Sequence, residues 1–70
     1  MSVYRKIYDE FGREIATVRI DRYEVKVRIG SNVRIIPRKI IIELARLLGI
    51  NEKEAIVEIC KLIRDYVKED

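Results

Sequence analysis

Charged and apolar residues alternate along the first half of the chain, and the alternation gives way to helical spacing in the second. It is clearest over residues 23–29, where Tyr23, Val25, Val27 and Ile29 are interleaved with Glu24, Lys26 and Arg28. A period of two predicts a strand with one buried and one solvated face. Residues 13–20 repeat the pattern with Ala16, Val18 and Ile20 on one side. Residues 2–8 alternate weakly but are rich in β-formers. Val33 to Ile36 make a short fourth strand. Turn residues separate these runs: Asp9-Glu10-Phe11-Gly12, then Asp21-Arg22, then Gly30-Ser31-Asn32. The pattern changes at Pro37. Lacking an N–H, with φ held at about −65°, it suits the end of a strand and the start of a helix.

Loop lengths turn this pattern into a register, because residues paired across a ladder share a face. A two-residue loop at 21–22 pairs Ile20 with Tyr23, Val18 with Val25 and Ala16 with Val27. A three-residue loop at 30–32 pairs Ile29 with Val33 and Val27 with Ile35. A four-residue loop at 9–12 pairs Val3 with Val18 and Tyr4 with Thr17. These pairings agree on one apolar face and predict a four-stranded antiparallel meander. Arg5 and Glu14 fall on the buried side and are expected as an ion pair near an edge. The opposite face then carries Tyr4, Lys6 and Tyr8, followed by Arg13, Ile15, Thr17 and Arg19. It continues through Glu24, Lys26 and Arg28 to Arg34 and Ile36, with Glu24 neutralising Arg19.

The first helix is predicted from about Pro37 to Leu48, ending at Gly49 as its C-cap. Ile40, Ile41, Ile42, Leu44, Ala45, Leu47 and Leu48 leave it almost no polar side, so it needs cover on more than one flank. The second helix begins after Asn51, an N-cap residue with Glu54 three positions on. It carries Ile56, Ile59, Leu62, Ile63, Tyr66 and Val67 broadly together. The expected fold class is α+β, ββββαα, in a single domain over residues 1–70. The sheet takes 1–36, and 37–70 forms a helical dimerisation region.

Composition adds three constraints. A chain of 70 residues buries a modest core. Its one cysteine, Cys60, allows no internal disulfide, and without histidine a zinc site is not expected. Thirteen Ile, two Asn and no Gln, with 39% charged residues, follow the trend of thermophile proteins. Small domains without such staples commonly oligomerise. A homodimer is therefore expected through Ile40, Ile41, Ile42, Leu44, Leu48, Ile59 and Ile63. No apolar run is long enough to span a bilayer, and no leader pattern opens the chain, which predicts a cytoplasmic protein.

Charge is distributed unevenly. Residues 1–39 carry a net +5 and residues 40–70 a net −2. Such asymmetry points to a polyanion, although an antiparallel sheet with a solvated outer face has the same alternation. Catalysis is not expected. Cys60 has no base to activate it and reads as a small core residue. The carboxylate pairs Asp9/Glu10 and Glu69/Asp70 fall in a turn and at a terminus, and no Gly-rich phosphate loop or cofactor motif occurs. What remains is the open sheet face. Lys6, Arg13, Lys26, Arg28 and Arg34 would hold phosphates, and Tyr4 and Tyr8 would stack on bases. Such a surface suits single-stranded DNA or RNA better than a duplex, since it offers no helix to the major groove.

Phe11-Gly12-Arg13, then Val18-Arg19-Ile20-Asp21-Arg22-Tyr23, then Gly30 and the short strand into Pro37, resemble the PC-four/ThermoDBP-like single-stranded DNA-binding proteins. The resemblance covers residues 3–50. It implies sheets that bind single strands and a helix, here Ile40–Leu48, that makes a dimer. A shorter stretch is similar to the AbrB-type regulators. It runs Arg34-Ile35-Ile36-Pro37-Arg38-Lys39-Ile40 and closes on Leu48-Gly49-Ile50. That similarity implies duplex DNA binding by a dimer. The leading expectation is a non-catalytic single-stranded nucleic-acid-binding protein. The alternatives are a protein-interaction or assembly module and an AbrB-like duplex regulator.

Overall fold

A computed structural model describes residues 2–68. Four strands, β1 (Val3–Tyr8), β2 (Glu14–Ile20), β3 (Glu24–Ile29) and β4 (Asn32–Pro37), form one antiparallel sheet in the order β1-β2-β3-β4. Two helices follow, α1 (Arg38–Leu48) and α2 (Glu52–Lys68). The ββββαα reading of the sequence is correct. Both helices pack against one side of the sheet, and its other face has no helical cover among the described residues. The Glu69/Asp70 pair lies outside the described residues.

Every ladder register differs from the one expected, through the turns and, between β1 and β2, also through a bulge. The β1–β2 loop has three residues, Glu10-Phe11-Gly12, closed by the Asp9 N–H donating to the Arg13 carbonyl at 2.9 Å. Gly12 takes φ +79°, the left-handed position that three-residue hairpins require after a type I turn. The ladder then shifts again between Ile7 and Tyr8, where Ile15 is the extra residue of a bulge. Val3 therefore pairs with Ile20, not Val18, and Tyr4 with Arg19, not Thr17. The bulge buries Ile15 beside Ala16 and puts Glu14 opposite Tyr8. Ile15 thus leaves the open face, and the expected Arg5–Glu14 pair is replaced by Lys6–Glu14 at 3.6 Å.

The β2–β3 loop is Arg22-Tyr23, one position later than expected, with the Asp21 N–H donating to Glu24 O at 2.8 Å. Val18 pairs with Val27 and Ile20 with Val25. Tyr23 is accordingly a turn residue, 75% exposed, and not part of the core. Arg19 is neutralised by Asp21 at 3.0 Å, not by Glu24. The β3–β4 loop has two residues, Gly30-Ser31, with Gly30 at φ +60°. A two-residue hairpin of type II′ takes glycine at its first central position. That shortening by one residue turns β4 over. Asn32, Arg34 and Ile36 share the helix side with Ile29, Val27 and Val25. Val33 and Ile35 lie on the open side and are exposed, so they do not seal the core.

The core is a cluster of Ile7, Ile15, Ala16, Val18, Val25, Val27, Ile41, Ala45, Ala55, Ile56 and Cys60. Burial pushes the Cys60 thiol up to about 11, so it stays protonated and inert. β4 runs into α1 without a loop: Pro37 has φ −57° and ψ 132°, and the next residue is helical. The first helical N–H, that of Arg38, donates to the Tyr23 carbonyl at 2.9 Å. Gly49 closes α1 at φ +67°. Asn51 caps α2, its Oδ1 accepting the Glu54 N–H at 2.8 Å.

Two side-chain nodes join these layers. Arg38 Nε donates to Glu52 Oε1 at 2.6 Å, and its Nη1 donates to the Asp21 carbonyl at 3.3 Å. One guanidinium thus ties the β2–β3 turn to the starts of both helices. At the opposite end, the Asp9 side chain is 3% exposed. Its Oδ1 accepts the N–H groups of Phe11 and Arg13, each at 2.9 Å, and its Oδ2 accepts Arg13 Nε at 3.1 Å. Arg64 of α2 approaches Oδ2 at 3.7 Å.

Asp9 yields a pH prediction. The backbone hydrogen bond from Arg13 holds its carboxyl below the ordinary value of 3.8, helped by Phe11 and the Arg13 guanidinium against the opposing effect of burial. A carboxylate with a lowered folded value stabilises the fold fully above its unfolded value and loses that contribution as pH falls through the folded one. Asp9→Asn should therefore melt below wild type at pH 7. The difference should shrink progressively as the pH falls below 3.8. Melting curves of both proteins from neutral to strongly acidic pH check this. A gap that stays constant across that range would contradict it.

Candidate functional site

The uncovered face of the sheet is the most distinctive surface of the molecule. Two cross-strand rows define it. One runs Tyr4, Arg19, Lys26, Ile35, and the next Lys6, Thr17, Arg28, Val33. Each residue comes from a different strand, so the flat ladder fixes their relative placement. Tyr4, Thr17, Arg19, Lys26 and Arg28 line a shallow depression of about 270 Å³. Tyr4 is 69% and Tyr8 51% exposed.

The cations differ in how free they are. Lys6 is shared with Glu14 and Arg19 with Asp21. Among the described residues, Lys26 and Arg28 make no ion pair. They stand two residues apart on β3, about 7 Å along the strand. A free cation on an open surface can take up a phosphate without first breaking a pair.

Five of the seven residues expected to bind nucleic acid share this face: Tyr4, Lys6, Tyr8, Lys26 and Arg28. Arg13 is instead at the β1–β2 turn, bound to Asp9, with its guanidinium 5.2 Å from the Phe11 ring centroid. Arg34 is on the helix side of the sheet, its Nη1 donating to the Val33 carbonyl at 3.1 Å. In its place the face has Val33 and Ile35, which the strand pattern had assigned to the core. The signal for them was Gly30 at the head of a two-residue loop.

The helical surface divides as well. Ile41 is fully buried within its own chain and has no surface to offer a partner. Ile59 and Ile63 pack against the core and are partly covered. Ile42 is exposed on a different flank, beside Tyr23 and Pro37. Ile40, Leu44, Leu47 and Leu48 follow i, i+4, i+7, i+8 spacing along α1. Ile40, Leu47 and Leu48 are exposed, as are Leu62 and Tyr66 of α2. Ile59, Leu62, Ile63 and Tyr66 continue into a groove against Ile35 and Ile36 of β4.

Among the described residues, no three His, Cys, Asp or Glu side chains are grouped as metal ligands would be. Among the same residues, no helix is long and apolar enough to cross a membrane. Comparisons with protein-family models, with characterised proteins and with solved structures find nothing that matches this chain.

Proposed function

We propose that this is a non-catalytic, cytoplasmic single-stranded nucleic-acid-binding protein that works as a homodimer. The observation that carries the reading is Lys26 and Arg28, unpaired among the described residues on an uncovered sheet face beside the exposed Tyr4 ring. Phosphates meet the two cations, and an unstacked base lies against the tyrosine. Thr17 and Arg19 supply further donors in the same depression. A flat sheet admits a single strand whose bases have splayed outward, and it has nothing to insert into the groove of a duplex.

The dimer reading rests on the apolar side chains left uncovered on α1 and α2. Ile40, Leu47, Leu48, Leu62 and Tyr66 are each more than half exposed, and large apolar side chains left open on neighbouring helices mark a surface suited to a partner.

A second reading follows from Ile35, 60% exposed on the same face as the cations. Apolar side chains there suit a protein partner, which makes an assembly module the competing class. Salt separates the two. Anisotropy titrations of labelled single-stranded DNA, single-stranded RNA and duplex DNA should show tightest binding to a single strand at low salt. The logarithm of affinity should fall by about 0.7 per neutralised phosphate for each tenfold rise in salt. No binding at low salt, or binding indifferent to salt, would sink the nucleic-acid reading and favour the assembly module.

A further inference from the structure

We infer that the groove at the β2–β3 turn is a second station on the same single-strand path, with Tyr23 as its stacking ring and Arg22 and Lys39 as its phosphate contacts. The inference rests on the single-strand reading above and names where the strand goes after it leaves the sheet.

Tyr23 occupies the tip of a two-residue hairpin and is the most exposed tyrosine among the described residues. The Arg22 guanidinium lies 5.5 Å from its ring centroid. The contact occupies one side of a ring that is 75% exposed overall, and an exposed ring offers a surface on which a base can stack. Beside the ring is a groove of about 540 Å³, lined by Arg22, Tyr23, Pro37, Arg38, Lys39 and Ile42. Arg38 is committed to Glu52 and the Asp21 carbonyl and forms a fixed wall. Arg22 and Lys39 make no ion pair among the described residues. An exposed aromatic flanked by two free cations repeats, at the end of the sheet, the chemistry of Tyr4 with Lys26 and Arg28.

One strand pair, Glu24 with Pro37, separates the two stations. Pro37 lines the groove and also pairs with Glu24 on the open face, next to the row that holds Lys26. Tyr23 is three residues from Lys26, about 10 Å along the chain. Glu24 lies between them and repels a phosphate at that step. A strand crossing there presents a base toward Pro37 and keeps its phosphate outward, and the next phosphates return to Arg22 and Lys39.

The experiment compares short and long oligodeoxythymidylates, of about 4 and about 12 nucleotides. Tyr23→Ala should weaken binding of the long one by about tenfold, the scale of one lost base–aromatic stack. Lys39→Gln should reduce its salt slope by about 0.7. Both should leave the short oligonucleotide within about twofold of wild type, since the sheet face alone holds it. Tyr23→Trp gives a direct signal, because the chain has no tryptophan of its own. The indole fluorescence of that variant should be quenched by the long oligonucleotide and not by the short one. If wild type binds but Tyr23→Ala and Lys39→Gln match it and the indole fluorescence stays unchanged, the second station is refuted and the sheet-face reading stands. If wild type binds no oligonucleotide at low salt, both are refuted. Quenching that depends only on protein concentration would assign the groove to a second copy of the chain and also refute the station.

Discussion

Lys26→Glu/Arg28→Glu is expected to lower affinity for single strands by at least about 100-fold at moderate salt. Two phosphate contacts vanish, and two repulsive charges enter the centre of the depression. The salt slope should fall by about 1.4, twice the single-strand increment. The fold should survive. Neither side chain takes part in an ion pair among the described residues, and Arg28 is exposed. Surface changes of this kind usually alter stability by no more than about 0.5 kcal/mol. Circular dichroism and melting establish that the variant is folded, and anisotropy then reads affinity. An affinity equal to wild type would remove the sheet face from the binding surface.

The largest stability effect belongs to Ile41. It is fully buried where α1 meets the sheet and α2, in a core of few large side chains. Truncation to alanine removes buried methyl and methylene groups and leaves a space that neighbours refill only in part. The expected cost is about 2–5 kcal/mol. A chain of this length has a total stability of about 4–10 kcal/mol, so Ile41→Ala should forfeit a large part of it. A drop in melting temperature of about 10–30 °C follows. Leu47→Ser, on the exposed side of the same helix, should leave the monomer's stability almost unchanged. It should instead weaken self-association in sedimentation experiments. The contrast matters because both residues belong to one apolar helix and look equivalent in the sequence. If Leu47→Ser destabilised the monomer as much as Ile41→Ala, the assignment of the two sides of α1 would be wrong.

The elements were legible because their signals are local. Alternation marked the strands, Gly49 and Asn51 marked helix ends, and Pro37 marked the junction. Cys60 read correctly as core because nothing around it could activate a thiol. What escaped was register. Moving the β2–β3 loop by one position changes the partner of each residue and preserves face parity, so Val18 and Val25 stayed inside although their partners changed. Tyr23 was lost in that shift, since an aromatic residue following the strand period reads as core. The Ile15 bulge escaped because no composition rule announces it. Its effect was to bury one isoleucine and expose Glu14. Arg34 and Ile35 exchanged faces because the choice between a two- and a three-residue loop depends on the glycine's φ, not on hydrophobicity. The Arg38–Glu52 and Asp9–Arg64 contacts are long-range, and no local period reports them.

That short Gly30-Ser31 loop also bears on how the chain can change over generations. Side chains alternate with a period of two, so inserting one residue there would turn β4 over and leave β1 to β3 as they are. Val33 and Ile35 would pass beneath the helices, and Arg34 would come out beside Lys26 and Arg28. A surface of mixed aliphatic and cationic character would become a more strongly cationic one without a single substitution. One codon in a surface loop, where insertions are tolerated best, therefore separates two surfaces of different charge built on the same backbone.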